Sequence, residues 1–328
     1  MKVSVIATVL NEGESIKRLL DSLEAQRRRP DEVVIVDGGS TDDTMSILKS
    51  YQAKLPLRII RSPGANISQG RNIAIAAATG PIIASTDAGV VLATDWLAEL
   101  MKFFEGSDPP QVVSGFFVPH PETTFEVAMG ATVLPMLADI NPQTFLPSSR
   151  SIAFTKRAWQ AVQGYPAWLD FCEDLIFDFN LRAYSAPFAF APEAIAYFKP
   201  RSSLRAFFKQ YYQYARGDGK ADLWPKRHAI RYLAYLVALP LFIWLTLWID
   251  PWWGGVGVIV GGVGLFYTPY KRLVRSWDGL TYGQKLAAIF WVPVIRITGD
   301  IAKMVGYPAG WIWRLRHLKQ DPRLRWRQ

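Results

Sequence analysis

Four apolar and mostly β-branched residues, Val33, Val34, Ile35 and Val36, run directly into Asp37-Gly38-Gly39. Such a run suits a strand buried on both faces, and the two glycines stop it. Ser40 or Thr41 is placed to cap a following helix, whose apolar positions Thr44, Ile47, Leu48 and Tyr51 fall on one face. In open α/β sheets ligands sit beyond the carboxyl ends of the strands. Asp37 is therefore placed to meet one.

The flanking chain repeats the pattern. Val3 to Val9 reads as a strand, and Ile16, Leu19, Leu20 and Leu23 give a helix face at i, i+3, i+4 and i+7. Strand, helix, strand, helix in this order implies parallel pairing. After a strand at Leu57 to Ile60 come Gly64 to Asn72 and an alanine-rich helix that Gly80 ends. Ile82 to Ser85 is another buried strand, which delivers Thr86-Asp87-Ala88-Gly89. Met1 to Leu10 is too short for a signal peptide, lacks a small-residue cleavage site and reads as the first strand. The single cysteine, Cys172, excludes an internal disulfide and fits a reducing compartment.

Taken together these residues resemble a known family. Val3 to Glu12, Val36 to Asp42, Gly70-Arg71-Asn72, Thr86-Asp87-Ala88 and Glu173-Asp174 look like the successive motifs of family 2 glycosyltransferases, over roughly residues 1 to 220. Order and spacing carry the likeness, since each motif alone is weak. The resemblance implies a Rossmann-like nucleotide-sugar-binding sheet of the glycosyltransferase A fold and an inverting mechanism. It also implies a nucleoside diphosphate sugar donor, UDP-sugar favoured, and a divalent cation, Mg²⁺ or Mn²⁺. It assigns Thr8, Asn11, Glu12, Asp37, Arg71, Thr86 and Asp87 to donor binding. Within that set Thr8 and Asp37 contact base and ribose, Arg71 approaches the diphosphate, and Asp87 holds the metal. The chain departs from the pattern twice, with Gly38 and Gly89 where further acids often stand.

The stretch from Gln111 to Phe154 is where such enzymes vary and where acceptors are usually chosen. His120 reads as a surface-loop histidine, because no second His or Cys lies at metal spacing. Arg150, in Ser148-Ser149-Arg150-Ser151, is either a phosphate or acceptor contact or part of a polar loop. Glu173 and Asp174 open a helix, where the dipole alone favours acids. The resemblance makes Asp174 the general base, taking the acceptor's proton as its oxygen attacks the anomeric carbon, with Glu173 beside it. Gln213 and Arg216 imperfectly match the Gln-x-x-Arg-Trp segment of processive members. Gly217 replaces the tryptophan, which favours transfer of a single sugar, and the same segment also reads as an amphipathic helix beside a membrane.

Beyond His228 the composition changes to apolar runs broken by Gly, Pro and Trp. The reading is a catalytic domain over 1–222 and a membrane region over 223–328. Ala229 to Ile249 has about the 20 residues needed to span a bilayer, with Arg231 near its start able to snorkel. Trp252 to 268 is a second, glycine-rich run that needs close packing on the first. Leu286 to Trp313 is long enough to span, but Arg296, Asp300 and Lys303 stripe one face. It reads as an interfacial or re-entrant helix, or as a third crossing, ahead of a basic tail, 314–328, that includes Arg314, Arg316, Lys319, Arg323, Arg325 and Arg327.

Many of the 13 Trp lie late in the chain, as in an interface belt. Lys and Arg outnumber Asp and Glu by 37 to 28, with much of the excess near the apolar runs, which fits anionic lipid rather than nucleic acid. Basic flanks and an uncharged-to-acidic turn at Asp250 place the catalytic domain in the cytoplasm, on a multi-pass inner-membrane protein.

The expected function is transfer of a sugar to a lipid or lipid-linked glycan acceptor of the cell envelope. The alternatives are a polyprenyl-phosphate glycosyltransferase, a polysaccharide synthase and a non-catalytic nucleotide-binding membrane protein. A nucleotidyltransferase is disfavoured, because Asn11 to Glu14 is acidic where a triphosphate loop is basic.

Overall fold

The structure, a computed structural model, describes residues 1–326. Arg327, expected in the basic tail, lies outside them. The chain divides into two compact units, Met1–His120 with Met136–Lys199, and Pro121–Pro135 with the chain from Pro200 onward.

The first unit holds a sheet of β1 (Val3–Val9), β2 (Glu32–Asp37), β3 (Leu57–Arg61), β4 (Ile82–Ser85), β5 (Val90–Leu92), β6 (Val112–Pro119), β7 (Ile152–Thr155) and β8 (Ala189–Phe198), in the order β3-β2-β1-β4-β7-β6-β8-β5. β3, β2, β1 and β4 are parallel, as the alternation of strands and helices implies. β7 runs antiparallel to both β4 and β6, and β5 antiparallel to β8. Its helices are α1 (Ser15–Glu24), α2 (Thr44–Ser50), α3 (Ile67–Ala77), α4 (Trp96–Met101), α6 (Lys156–Ala161) and α7 (Glu173–Tyr184); α5 (Thr124–Val133) belongs to the second unit.

Each central strand feeds two cores. Val5, Ala7, Val33 and Ile35 pack with Leu19, Leu20 and Leu23 of α1, while Ile6, Val34 and Val36 pack with Ala74 and Ile75 of α3. Period-two alternation of apolar residues is what permits a layer on each face. The strands thus end together on one edge of the sheet, where Asp37 and Thr86 lie.

Two local expectations change. α2 starts from Asp43, without a side-chain cap, because Ser40 is used elsewhere: its N–H donates to Asp37 and its Oγ accepts from Asn11 N–H at 2.9 Å. α3 ends at Ala77, short of Gly80. Gly80 is needed for close approach, since a Cβ there would lie 2.8 Å from Ser4 Oγ and 2.9 Å from Ser4 N.

The second unit contains α5, α8 (Leu204–Ala221), α9 (Pro225–Leu233), α10 (Leu239–Trp248), α11 (Trp252–Arg275) and α12 (Tyr282–His317). A π-helical stretch, Ala234–Ala238, joins α9 to α10 so that Pro225–Trp248 runs as one apolar helix of 24 residues. Among the described residues this is the one helix long and apolar enough to cross a membrane. α11 packs tightly on α10, as its glycines suggest: a Cβ at Gly257 would be 3.1 Å from Phe242 Cβ, and one at Gly254 would be 3.0 Å from Thr246 Cγ2.

The charged stripe of α12 finds partners within the second unit. Asp300 is 2% exposed, and its carboxylate accepts from Arg231 Nε at 2.7 Å and Tyr235 Oη at 3.1 Å, with Arg296 Nε at 3.1 Å. Arg231 therefore turns inward to a buried acid instead of snorkelling, since an unpaired buried charge costs more than a paired one. α12 runs as one helix from Tyr282 to His317 and lies close on α8: a Cβ at Gly306 would be 2.3 Å from Tyr212 O, and one at Gly310 would be 2.0 Å from Arg216 O.

In the first unit the tightest glycine is Gly115, where a Cβ would lie 1.9 Å from Ser151 Oγ and 2.7 Å from Ala194 O. Gly115→Ala should destabilise the fold by about 1–3 kcal/mol, the usual cost of overpacking. Denaturant unfolding checks this, and an unchanged midpoint would show that the sheet gives way at no cost.

Candidate active site

Arg71 lies on the inner face of α3 and is 3% exposed. Its Nη2 donates to Asp87 Oδ1 at 2.8 Å, just after β4, and its Nη1 donates to Glu173 Oε1 at 2.6 Å, the first residue of α7. Arg150 Nε is 3.2 Å from Asp87 Oδ2, and its guanidinium lies over the rings of Phe198 at 4.7 Å and Phe117 at 5.8 Å. Tyr165 lies below Arg71, 5.2 Å from ring centroid to guanidinium carbon. Four segments distant in sequence thus converge on one charged cluster.

Its electrostatics follow from burial. Burial works against the charge of Arg71, but Asp87 and then Glu173 outweigh it and hold the guanidinium above its ordinary range. Glu173 is pushed up to about 7, chiefly by burial and then by Asp174, against the pull of Arg71. Burial also raises Asp174, against Arg71 and Arg150. Asp174 Oδ1 accepts from Leu175 N–H at 2.9 Å in the first turn of α7. One turn on, Asp178 is buried with an unpartnered Oδ2, and burial, then Asp174, pushes it well above the usual carboxylate range.

A second cluster forms at the ends of β1 and β2. Asp37, fully buried, accepts Ser40 N–H at 3.0 Å on Oδ1 and 3.2 Å on Oδ2, and Arg61 Nε is 3.6 Å from Oδ2. Asn11 has a left-handed backbone, φ 53°, and its Oδ1 accepts Thr41 N–H at 2.9 Å. Thr86 is buried with its N–H on Ile6 O at 3.1 Å and its Oγ1 unpartnered.

Other expected site residues have structural partners. Thr8 offers its methyl to α3, where a Cβ on Gly70 would be 2.8 Å away. Glu12 Oε2 accepts from Ser15 Oγ at 2.6 Å at the start of α1 and joins neither cluster. Gln213, with a buried and unpartnered Oε1, and Arg216 lie on α8 in the second unit. Sequence reasoning passed over Asp178 and Tyr165. The i, i+4 spacing from Asp174 marks Asp178, whereas nothing local marks Tyr165.

The residues present do not make a cation site. Asp87 brings a single carboxylate whose two oxygens each face a guanidinium, and Gly89, where a second acid would stand, opens on empty space. Among the described residues no group of three or more His, Cys, Asp or Glu is placed to hold a metal.

The fold is that of the glycosyltransferase A type. It aligns with a mannosyltransferase of Pyrobaculum calidifontis, solved with GDP-Man and Mn²⁺, at a TM-score of 0.56 and 18% identity over 98% of this chain and 88% of that one. Residues 4–158 match the model of glycosyl transferase family 2, so this stretch of the chain is similar to that family's domain. An uncharacterized glycosyltransferase of Nostoc sp. is 36% identical over 110 residues, 33% of this chain and 34% of the relative. The O-antigen chain rhamnosyltransferase RfbN of Salmonella typhimurium is 23% identical over 96% of this chain and 91% of its own length. Against the first of the curated relatives, then, the chain spans about a third of the length.

The ionisation of Asp178 gives a test. Its folded pKa lies above the ordinary 3.8, so at intermediate pH the native state keeps a proton that the unfolded chain has lost. Stability must fall as pH rises through that window. Asp178→Asn should therefore gain stability relative to the parent between pH 5 and pH 8, measured by urea unfolding at both. A difference that stays flat with pH would mean Asp178 is not held protonated.

Proposed function

We propose that this is a membrane-anchored inverting glycosyltransferase that moves one sugar from a nucleoside diphosphate sugar to a lipid or lipid-linked glycan acceptor. The observation that carries the reading is the Arg71 bridge, which ties the strand-end acid Asp87 to the acid pair opening α7. On this reading Asp37 and Asn11 receive the nucleoside at the ends of β1 and β2, with the unpartnered hydroxyl of Thr86 at the end of β4. Glu173 is committed to Arg71, which leaves Asp174 as the base. Its raised pKa suits that work, because a carboxylate lifted above its ordinary value accepts a proton more readily. Acceptor oxygen attacks the anomeric carbon from the face opposite the diphosphate, its proton passes to Asp174, and the configuration inverts.

The GDP-Man of the Pyrobaculum calidifontis mannosyltransferase supports a nucleoside diphosphate sugar as donor. The name of the Salmonella relative supports a glycan chain as acceptor. For the anchor, Pro225–Trp248 supplies 24 residues, or ~36 Å at 1.5 Å per residue, against a hydrocarbon core of ~30 Å. Its apolar side chains are bare, with Leu247 71% and Trp248 75% exposed, and α11 continues the bare surface at Val258 and Ile259. The basic residues Lys226, Arg227, Lys271, Arg272 and Arg275 flank this pair at one end and Asp250 lies at the other, so on this reading the basic end faces the cytoplasm.

Thermal stability of the detergent-purified protein against UDP-, GDP- and dTDP-sugars tests donor binding, since a specific ligand at 100 times its Kd adds about 2.7 kcal/mol. Asp174→Asn should slow transfer to a hydroxyl acceptor by about 10²- to 10⁴-fold while leaving that shift in place. Full turnover in the variant would remove Asp174 as the base and point to an acceptor that arrives ionised, such as a phosphate.

A further inference from the structure

Arg150 is held more firmly than a loop arginine needs to be. Its neighbours Ser149 and Ser151 are 3% and 1% exposed. Ser149 Oγ is 3.0 Å from Tyr165 Oη; Ser151 Oγ donates to Ala194 O at 2.7 Å and accepts from Trp96 Nε1 at 2.8 Å. Gly115 N–H, at 2.9 Å, closes on Ser151 O. Between these anchors the guanidinium stacks on Phe198 and reaches Asp87, while its side chain remains 23% exposed. Arg71, the second guanidinium on the same carboxylate, is buried deeper.

This arrangement is the reverse of a cation site. A divalent ion on Asp87 would have to share the carboxylate with two positive charges, and Mg²⁺ demands a near-octahedral shell of oxygens that those arginines occupy. A planar guanidinium, by contrast, is built for phosphate oxygens, which it meets through paired N–H donors. An arginine whose geometry is fixed beforehand loses little entropy on binding.

We infer that Asp87 anchors two guanidiniums, and that Arg150, backed by Arg71, meets the charge of the donor diphosphate in place of a divalent cation. The inference rests on the donor proposed above, a nucleoside diphosphate sugar. In the transfer step the bond from the anomeric carbon to the diphosphate oxygen breaks with its electron pair left on that oxygen. The new bond forms to the acceptor oxygen, whose proton goes to Asp174. Arg150 faces the oxygen that gains charge, where a preorganised donor is worth most.

Titration calorimetry of the full chain in detergent tests this with UDP, GDP and dTDP, each beside its own nucleoside, in EDTA and then in Mn²⁺ or Mg²⁺. The expected result is a nucleotide that binds in EDTA within about threefold of its affinity with metal, a change under 1 kcal/mol. Arg150→Met should weaken that nucleotide by about 10- to 100-fold and leave its nucleoside unchanged, which separates a phosphate contact from a misfolded site. Arg150→Lys, which keeps the charge without the fork, should recover part of the loss. Nucleotide binding that appears only with metal, or that Arg150→Met leaves intact, overturns the inference and spares the transferase reading. If no nucleotide binds under any condition, the transferase reading itself falls and the inference falls with it.

Discussion

The first unit is organised around a charge that has no business being buried alone. Stripping water from Arg71 is tolerable only because carboxylates approach it from two directions, Asp87 from 16 residues away and Glu173 from 102. Removing one partner of such a pair typically costs about 3–5 kcal/mol, because the other is left uncompensated. The bridge therefore fixes the end of β4 and the start of α7 relative to α3. The same contact that stabilises the unit sets the spacing of its acids. Fold and chemistry are not separable at this residue.

The parallel half of the sheet was legible because it is written locally. Val33 to Val36 and Ile82 to Ser85 are short apolar runs with punctuation after them, and each helix between declares its inward face. The antiparallel half was not. β5 has three residues, and β8 pairs with β6 on one side and β5 on the other, contacts separated by up to about a hundred residues that no window of sequence displays. Helix starts failed for a related reason: Ser40 has the chemistry of a cap, but Asp37 and Asn11 had already claimed it.

Strand ends and motif order single out Asp37, Arg71, Asp87 and the acid pair of α7, and of these Arg71, Asp87 and Glu173 are in contact. Motif order did not disclose who pairs with whom. By sequence Arg150 suits a phosphate or a polar loop equally; its contacts with the Phe198 ring and Asp87 are made only in the fold. Glu12 matched the motif by type, yet its carboxylate serves the first turn of α1. The second unit teaches the same lesson through charge. Arg231 looks from its own helix like a residue seeking water, and its actual partner stands 69 residues on.

That partner has a geometric effect on the apolar helix. An ion pair between Arg231 and Asp300, with Tyr235 on the other carboxylate oxygen, acts as a key in a slot and fixes the azimuth of the Pro225–Trp248 helix about its own axis near these residues. With the helix so turned, Ile230, Leu233, Leu236 and Val237 are left pointing outward, each more than half exposed. Apolar attraction alone is indifferent to rotation on a helix that is greasy all round. Here it is the few polar atoms that decide which stripe of hydrocarbon the protein shows to its surroundings.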